Sequence, residues 1–109
     1  MSLKLIVRPE AEEDILDAAL WYEGREAGLG LELTSEIHAA IERALEKPFA
    51  YLLLRKHPHV RRVLARRFPY RIFYIVGPDA IIVFAVVHAA QDERHWLKRL
   101  GVGAHRLSR

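Results

Sequence analysis

The sequence predicts a small α+β domain: an antiparallel β-sheet of about four strands, packed on one face by an N-terminal two-helix hairpin, with a short C-terminal helix. Three observations predict it. The chain has 109 residues, 51% hydrophobic and 28% charged, which is enough for one core and one domain. Two helical patterns lie side by side in the first half, separated by a glycine pair. Three strand-like segments then follow one another with no helix between them, which separates α+β from an alternating α/β order. A single domain is expected over residues 1–101, with a basic tail over 102–109.

Each element has its own signal. Leu3 to Val7 is rich in branched apolar residues and reads as a short strand. Pro9 with Glu10, Glu12, Glu13 and Asp14 suits a first helical turn, where proline is tolerated and carboxylates face the positive helix end. Ala11, Ile15, Ala18, Ala19 and Tyr22 continue that helix towards Gly28. After Gly28-Leu29-Gly30, a second helix carries Leu33, Ile37, Ala40, Ile41, Ala44 and Leu45 on one face, and Pro48 stops it. Residues 49–59 read as irregular. Val60 to Ala65 and Tyr70 to Val76 read as strands, and Gly77-Pro78-Asp79 is turn chemistry. Ala80 to Val87 is almost wholly apolar, as expected of a central strand covered on both faces. Asp92 is a candidate N-cap for a last helix carrying Trp96, Leu97 and Leu100. The expected core is Ile6, Ile15, Tyr22, Ile37, Ile41, Leu45, Ile72, Tyr74, Ile82 and Phe84.

Composition excludes several classes. There are no cysteines, so disulfide frameworks, thiol nucleophiles and Cys-based zinc sites are out. No apolar run is long enough for a membrane span. The N-terminal residues lack a signal-peptide core, and a cytoplasmic protein is expected. Net charge is +3, but residues 1–54 hold 5 basic and 11 acidic side chains while residues 55–109 hold 12 and 3. That asymmetry suits a basic surface for a polyanion or an acidic protein partner, or, more plainly, solvated faces of opposite sign on neighbouring elements.

The densest candidate for chemistry is Arg61-Arg62-Val63-Leu64-Ala65-Arg66-Arg67-Phe68-Pro69-Tyr70-Arg71. Arginine forks make bidentate contacts to phosphate, and the aromatic residues nearby suit base stacking. The plainer reading is that the aromatics are core and the arginines keep a sheet edge soluble. His88 ends the last strand and can act as a general base, or, more plainly, cap or hydrogen-bond the neighbouring helix. His57-Pro58-His59 has no acidic ligand cluster beside it, so no metal site is expected, nor any cofactor. The acids at the start of the first helix read as helix-dipole partners and solvated charge rather than a catalytic pair.

Arg67-Phe68-Pro69-Tyr70-Arg71-Ile72-Phe73-Tyr74 resembles the sheet signature of the RelE/ParE toxins of bacterial type II toxin–antitoxin pairs. Trp21-Tyr22-Glu23 with Gly28-Leu29-Gly30 is similar to the helical hairpin of the ParE-like branch. Val86-Val87-His88, Gln91-Asp92 and Trp96 are similar to the end of the family's last strand and the start of its final helix. The likeness covers roughly residues 3–99. It implies a plasmid-stabilisation-type toxin bound and silenced by a cognate antitoxin, as a possible hetero-oligomer. ParE-like members bind DNA gyrase. RelE-like members cleave mRNA on the ribosome with basic residues rather than a metal.

Carried over residue by residue, the RelE pattern assigns Arg71, Arg62 and, as a helper, His88 to catalysis. The inward lysine position is Leu64 here, and the arginine after the last strand is Gln91. These departures favour the gyrase-binding branch, with Arg61, Arg66, Arg67, Arg94 and Trp96 as target contacts. An mRNA endonuclease and a non-toxic member that keeps only antitoxin binding are the alternatives.

Overall fold

The computed structural model describes residues 3–92 together with Trp96 and Arg99. The expected final helix and basic tail otherwise lie outside the described residues, as does Arg94. The elements are β1 (Lys4–Val7), α1 (Pro9–Arg25), α2 (Leu29–Glu46), β2 (Leu52–Leu53), β3 (Val60–Leu64), β4 (Tyr70–Val76) and β5 (Ala80–His88). They form one five-stranded sheet in the order β1-β5-β4-β3-β2, backed by the α1–α2 hairpin.

Two features correct the sequence reading. The sheet has five strands rather than about four, because Leu52–Leu53, in a stretch read as irregular, pairs antiparallel with Arg61 and Arg62. The sheet is also not wholly antiparallel: β1 runs parallel to β5, from Lys4 opposite Ala80 to Val7 opposite Val83. Ile6 is correspondingly not core. It is 46% exposed on an edge strand with no second neighbour. Tyr22, Leu45 and Ile82 are half-buried, and the other expected core residues are buried.

The hairpin forms because α2 borrows its cap from α1. The chain leaves α1 and reaches Gly28 at φ 90°, a left-handed conformation that glycine adopts without a Cβ penalty. Gly28 has no side chain to cap the exposed N–H groups at the start of α2. The Glu23 carboxylate takes that role, accepting the backbone N–H of Gly28 at 2.9 Å and of Gly30 at 3.0 Å. Those two hydrogen bonds hold the carboxyl below its ordinary pKa. Gly30 is also where the helices touch: a Cβ there would lie 2.5 Å from the Ala19 carbonyl oxygen.

The sheet carries a core on each face. Under the helices, Ile72, Tyr74, Val63, Ile81, Val83 and Val86 pack against Ala11, Ile15, Leu33, Ile37 and Ile41. On the second face, Val60, Phe73, Phe84, Ala85 and Val87 gather around Trp96. Strict alternation along β5 would not allow this, since Val83 and Val86 share a face. A bulge resolves it. Phe73 pairs with Ala85 and Tyr74 with Val83, which leaves Phe84 as the extra residue. Phe84 and Ala85 then both turn to the second face. Full burial of an aromatic side chain such as Phe84 contributes roughly 1.5–3 kcal/mol.

Candidate functional site

Strand alternation and register sort the arginines before any side chain is considered. Arg62 lies opposite Phe73, and Arg71 lies opposite Val87, so both belong to the second face as diagonal neighbours. Arg61 and Val63 lie on the helix side. The sequence-assigned pair Arg62 and Arg71 is therefore brought together, away from Arg61.

Arg71 is heavily engaged within the fold. Its Nη2 donates to the carbonyls of His88, Ala89 and Gln91 at 3.2, 3.2 and 3.0 Å. It ties the exit of β5 back onto β4. An exposed arginine would tolerate truncation with little loss of stability, and this one is an anchor instead. His88 belongs to the same turn. Its Nδ1 accepts the Ala90 N–H at 2.9 Å, so the ring proton sits on Nε2. Its own backbone N–H donates to Gln91 Oε1 at 3.0 Å, and its ring meets Tyr70 edge-on at 5.2 Å. The bond that His88 makes among the described residues is thus to the turn that follows it, not to a helix. Gln91, where the RelE pattern has a cation, closes the turn. Leu64, where that pattern has lysine, is an exposed apolar side chain.

The residues expected to contact a target divide three ways. Arg61 reaches under the helices, where Nη1 donates to the carbonyls of Phe49 at 3.1 Å and Tyr51 at 2.9 Å. Arg67 bonds Glu32 at 2.7 Å across the surface, with both side chains about half exposed. The Glu32 carboxylate raises its pKa further above the ordinary arginine value. Arg66 is exposed and makes no ion pair or hydrogen bond among the described residues. Trp96 corrects the expectation of a surface contact. It is 2% exposed, with its ring 4.8 Å from Phe73 and 5.4 Å from Phe84. The bulge creates an apolar hollow on the second face, and the indole fills it.

Sequence reasoning missed the pair that closes the edge of β5. β1 ends at Val7 opposite Val83, so the backbone beyond it lacks a strand neighbour on that side. Asp14 of α1 accepts the Val86 N–H at 2.9 Å. Arg99 donates to the Phe84 carbonyl at 2.9 Å and forks onto Asp14 at 2.7 and 3.0 Å. The Asp14 carboxylate raises the Arg99 pKa above its ordinary value. Asp14 is therefore not the solvated charge that its place among the helix-start acids suggests. The signal was its spacing, three residues after Ala11 and four before Ala18, on the buried stripe of the helix. Nothing in the sequence marked Arg99.

Beside this pair, between α1 and the end of β5, lies a cavity of about 590 Å³ whose walls include Glu13, Asp17, Trp21, Tyr70, His88 and Trp96. Among the described residues, no cluster of histidine and acidic side chains has the geometry to hold a metal ion. No helix among them is long and apolar enough to cross a membrane.

Comparison with known proteins agrees with this architecture. The family described as the ParE toxin of the type II toxin–antitoxin system parDE matches residues 5–93. The chain belongs to the ParE toxin family. The chromosomal ParDE toxin–antitoxin system of P. aeruginosa has a similar structure, with TM-score 0.72 and 15% identity, over 80% of this chain and 96% of that one. The isolated E. coli RelE toxin is also similar, with TM-score 0.61 and 21% identity, over 91% of this chain and 99% of that one. An arginine-substituted E. coli RelE in complex with a peptide of its antitoxin RelB gives TM-score 0.57 and 20% identity, over 91% and 95%. No curated protein matches by sequence. The chain is thus a type II toxin by family, and its fold is similar to those of the P. aeruginosa ParDE system and of E. coli RelE.

Proposed function

We propose that this ParE-family toxin acts in the cytoplasm by binding DNA gyrase and is neutralised by a cognate antitoxin. The state of the second face carries the reading. Where an mRNA-cleaving relative needs cations and a proton donor, this chain has an exposed Leu64, a Gln91 used to close a turn, and an Arg71 held by three carbonyls. Loss of one preorganised charge of that kind costs on the order of 100- to 1000-fold in rate. A binding toxin needs a surface instead, and exposed Arg66, Leu64 and Leu52 on or beside the outer strands supply basic and apolar contacts.

The test is a supercoiling assay with purified gyrase and antitoxin-free protein. Inhibition of supercoiling, with mRNA left intact in a translating extract, supports the reading. Gyrase unaffected at large molar excess removes it. The second reading, a ribosome-dependent endonuclease, is favoured by one observation: Arg62 and Arg71 share a face. Its signature is discrete mRNA shortening only while ribosomes translate.

A further inference from the structure

The charge of the molecule is divided between its two layers. Helices α1 and α2 hold ten carboxylates against two arginines. Residues 47–78, which run through β2, β3 and β4, hold eight lysines and arginines and no carboxylate. Some of these cations are committed within the fold, Arg61 and Arg71 to carbonyls and Arg67 to Glu32. Lys47, Arg55 and Lys56 are exposed and make no side-chain hydrogen bond or ion pair among the described residues. They flank β2 at the free edge of the sheet, where Phe49, Leu52 and Leu53 are exposed as well.

That mixture narrows the partner. A polyanion would use the cations and leave three large apolar side chains unused. A protein surface that offers both carboxylates and apolar side chains uses both. The outer face of this chain's own hairpin is such a surface. Glu12, Glu42 and Glu46 are exposed and make no side-chain hydrogen bond or ion pair among the described residues. On the same two helices Leu16, Leu20 and Leu31 are 57, 62 and 74% exposed. Leu16 and Leu20 stand one turn apart on α1, away from its buried Ala11, Ile15 and Ala18.

Charge also selects how two copies meet. Edge against edge sets cations against cations, and hairpin against hairpin sets carboxylates against carboxylates. Hairpin against edge is the complementary arrangement. The two patches adjoin in one copy, because Arg43 of α2 donates to the Leu64 carbonyl of β3 at 2.7 Å and Arg67 bonds Glu32 of α2. A two-fold axis between copies therefore forms the contact twice, and the pair closes.

We propose that the free chain pairs with a second copy of itself, the acidic hairpin of each copy lying on the basic β2 edge of the other. The contact needs only the free chain and is independent of the gyrase reading. While paired, each copy hides Leu52, one of the contacts assigned above to the target.

The test is sedimentation equilibrium of the antitoxin-free protein. At about 50 mM salt the chain should form a dimer, and the dimer should weaken by about tenfold or more at about 500 mM, where surface charge is screened. Arg55→Glu/Lys56→Glu and Glu42→Lys/Glu46→Lys should each weaken the dimer by about tenfold or more at low salt. Mixed in equal amounts, the two variants should pair again. The reversed edge of one then meets the reversed hairpin of the other, and the second contact is unaltered. Recovery on mixing also shows that both variants fold. A chain that stays monomeric at low salt even at millimolar concentration overturns the proposal. So does a dimer indifferent to both variants, or a mixture that fails to recover while urea unfolding shows both variants folded. Species larger than a dimer overturn the two-fold arrangement.

Discussion

Replacing Tyr74 by phenylalanine tests how the hairpin is tied to the sheet. The Tyr74 ring is fully buried in β4, and its hydroxyl donates to the Pro48 carbonyl at 2.7 Å, just past the end of α2. Burial pushes the phenol from its ordinary 10.0 up to about 12. At neutral pH, Tyr74→Phe keeps the ring packing and loses one hydrogen bond, a net cost of about 1 kcal/mol. For a domain of this size that lowers Tm by about 4–8 °C. The alkaline side reverses the order. Folding raises this pKa, so the tyrosine's contribution is complete below pH 10 and is lost as pH rises towards 12. By linkage, the native protein loses roughly 1.4 kcal/mol from this group by about pH 11 and roughly 2.3 by about pH 12. The variant has no hydroxyl to ionise there. Urea unfolding followed by tryptophan fluorescence should show the variant less stable at pH 7, the two equal near about pH 11, and the variant more stable above it. Other tyrosines and lysines titrate alike in both proteins and cancel in the difference. A stability difference that stays constant between pH 7 and about pH 12 would refute a buried, hydrogen-bonded phenol at this position.

Three further outcomes follow from the same contacts. Glu23→Gln should flatten the acid limb of the stability curve. Folding lowers the Glu23 pKa, so its contribution is full above the ordinary 4.5 and is lost as pH falls through the lower folded value, which thermal melts from neutral pH into acid will show. Gly30→Ala should destabilise by roughly 1–3 kcal/mol in urea unfolding, because its Cβ would meet the Ala19 carbonyl at 2.5 Å and force the helices apart. Unchanged stability would mean that the hairpin can open there. Arg71→Ala should cost roughly 1–3 kcal/mol rather than the few tenths of a surface change, since it frees the carbonyls of His88, Ala89 and Gln91. Any change in toxicity must therefore be read beside a melting curve of the same variant.

The sequence by itself determined the two helices of the hairpin, four of the five strands and their order. Pro9 and the acids after it start α1, Gly28 breaks the hairpin, Pro48 stops α2, and Gly77-Pro78-Asp79 turns β4 into β5. Each of these is a local backbone preference, legible without knowing what lies across the fold. Periodicity likewise marked Ile37, Ile41 and Ile72 as core. Family membership was also legible, because the order and spacing of Trp21-Tyr22-Glu23, Gly28-Leu29-Gly30 and Arg67-Phe68-Pro69-Tyr70-Arg71 survive as a linear pattern. Only the tertiary structure decided what depends on contacts between distant residues. The parallel seat of β1 beside β5, and with it the exposure of Ile6, depends on a strand more than seventy residues away. The bulge at Phe84 depends on β4, and it sends Phe84 and Ala85 to one face, where Trp96 fills the hollow. Arg71 read as a catalytic cation, or one that keeps a sheet edge soluble, and became an anchor because three carbonyls converge on it. Asp14 read as solvated charge and became the partner of Arg99 because β1 stops short of Val86. A charged residue's role is set by the unpaired backbone groups near it, and those exist only once the strands are in register.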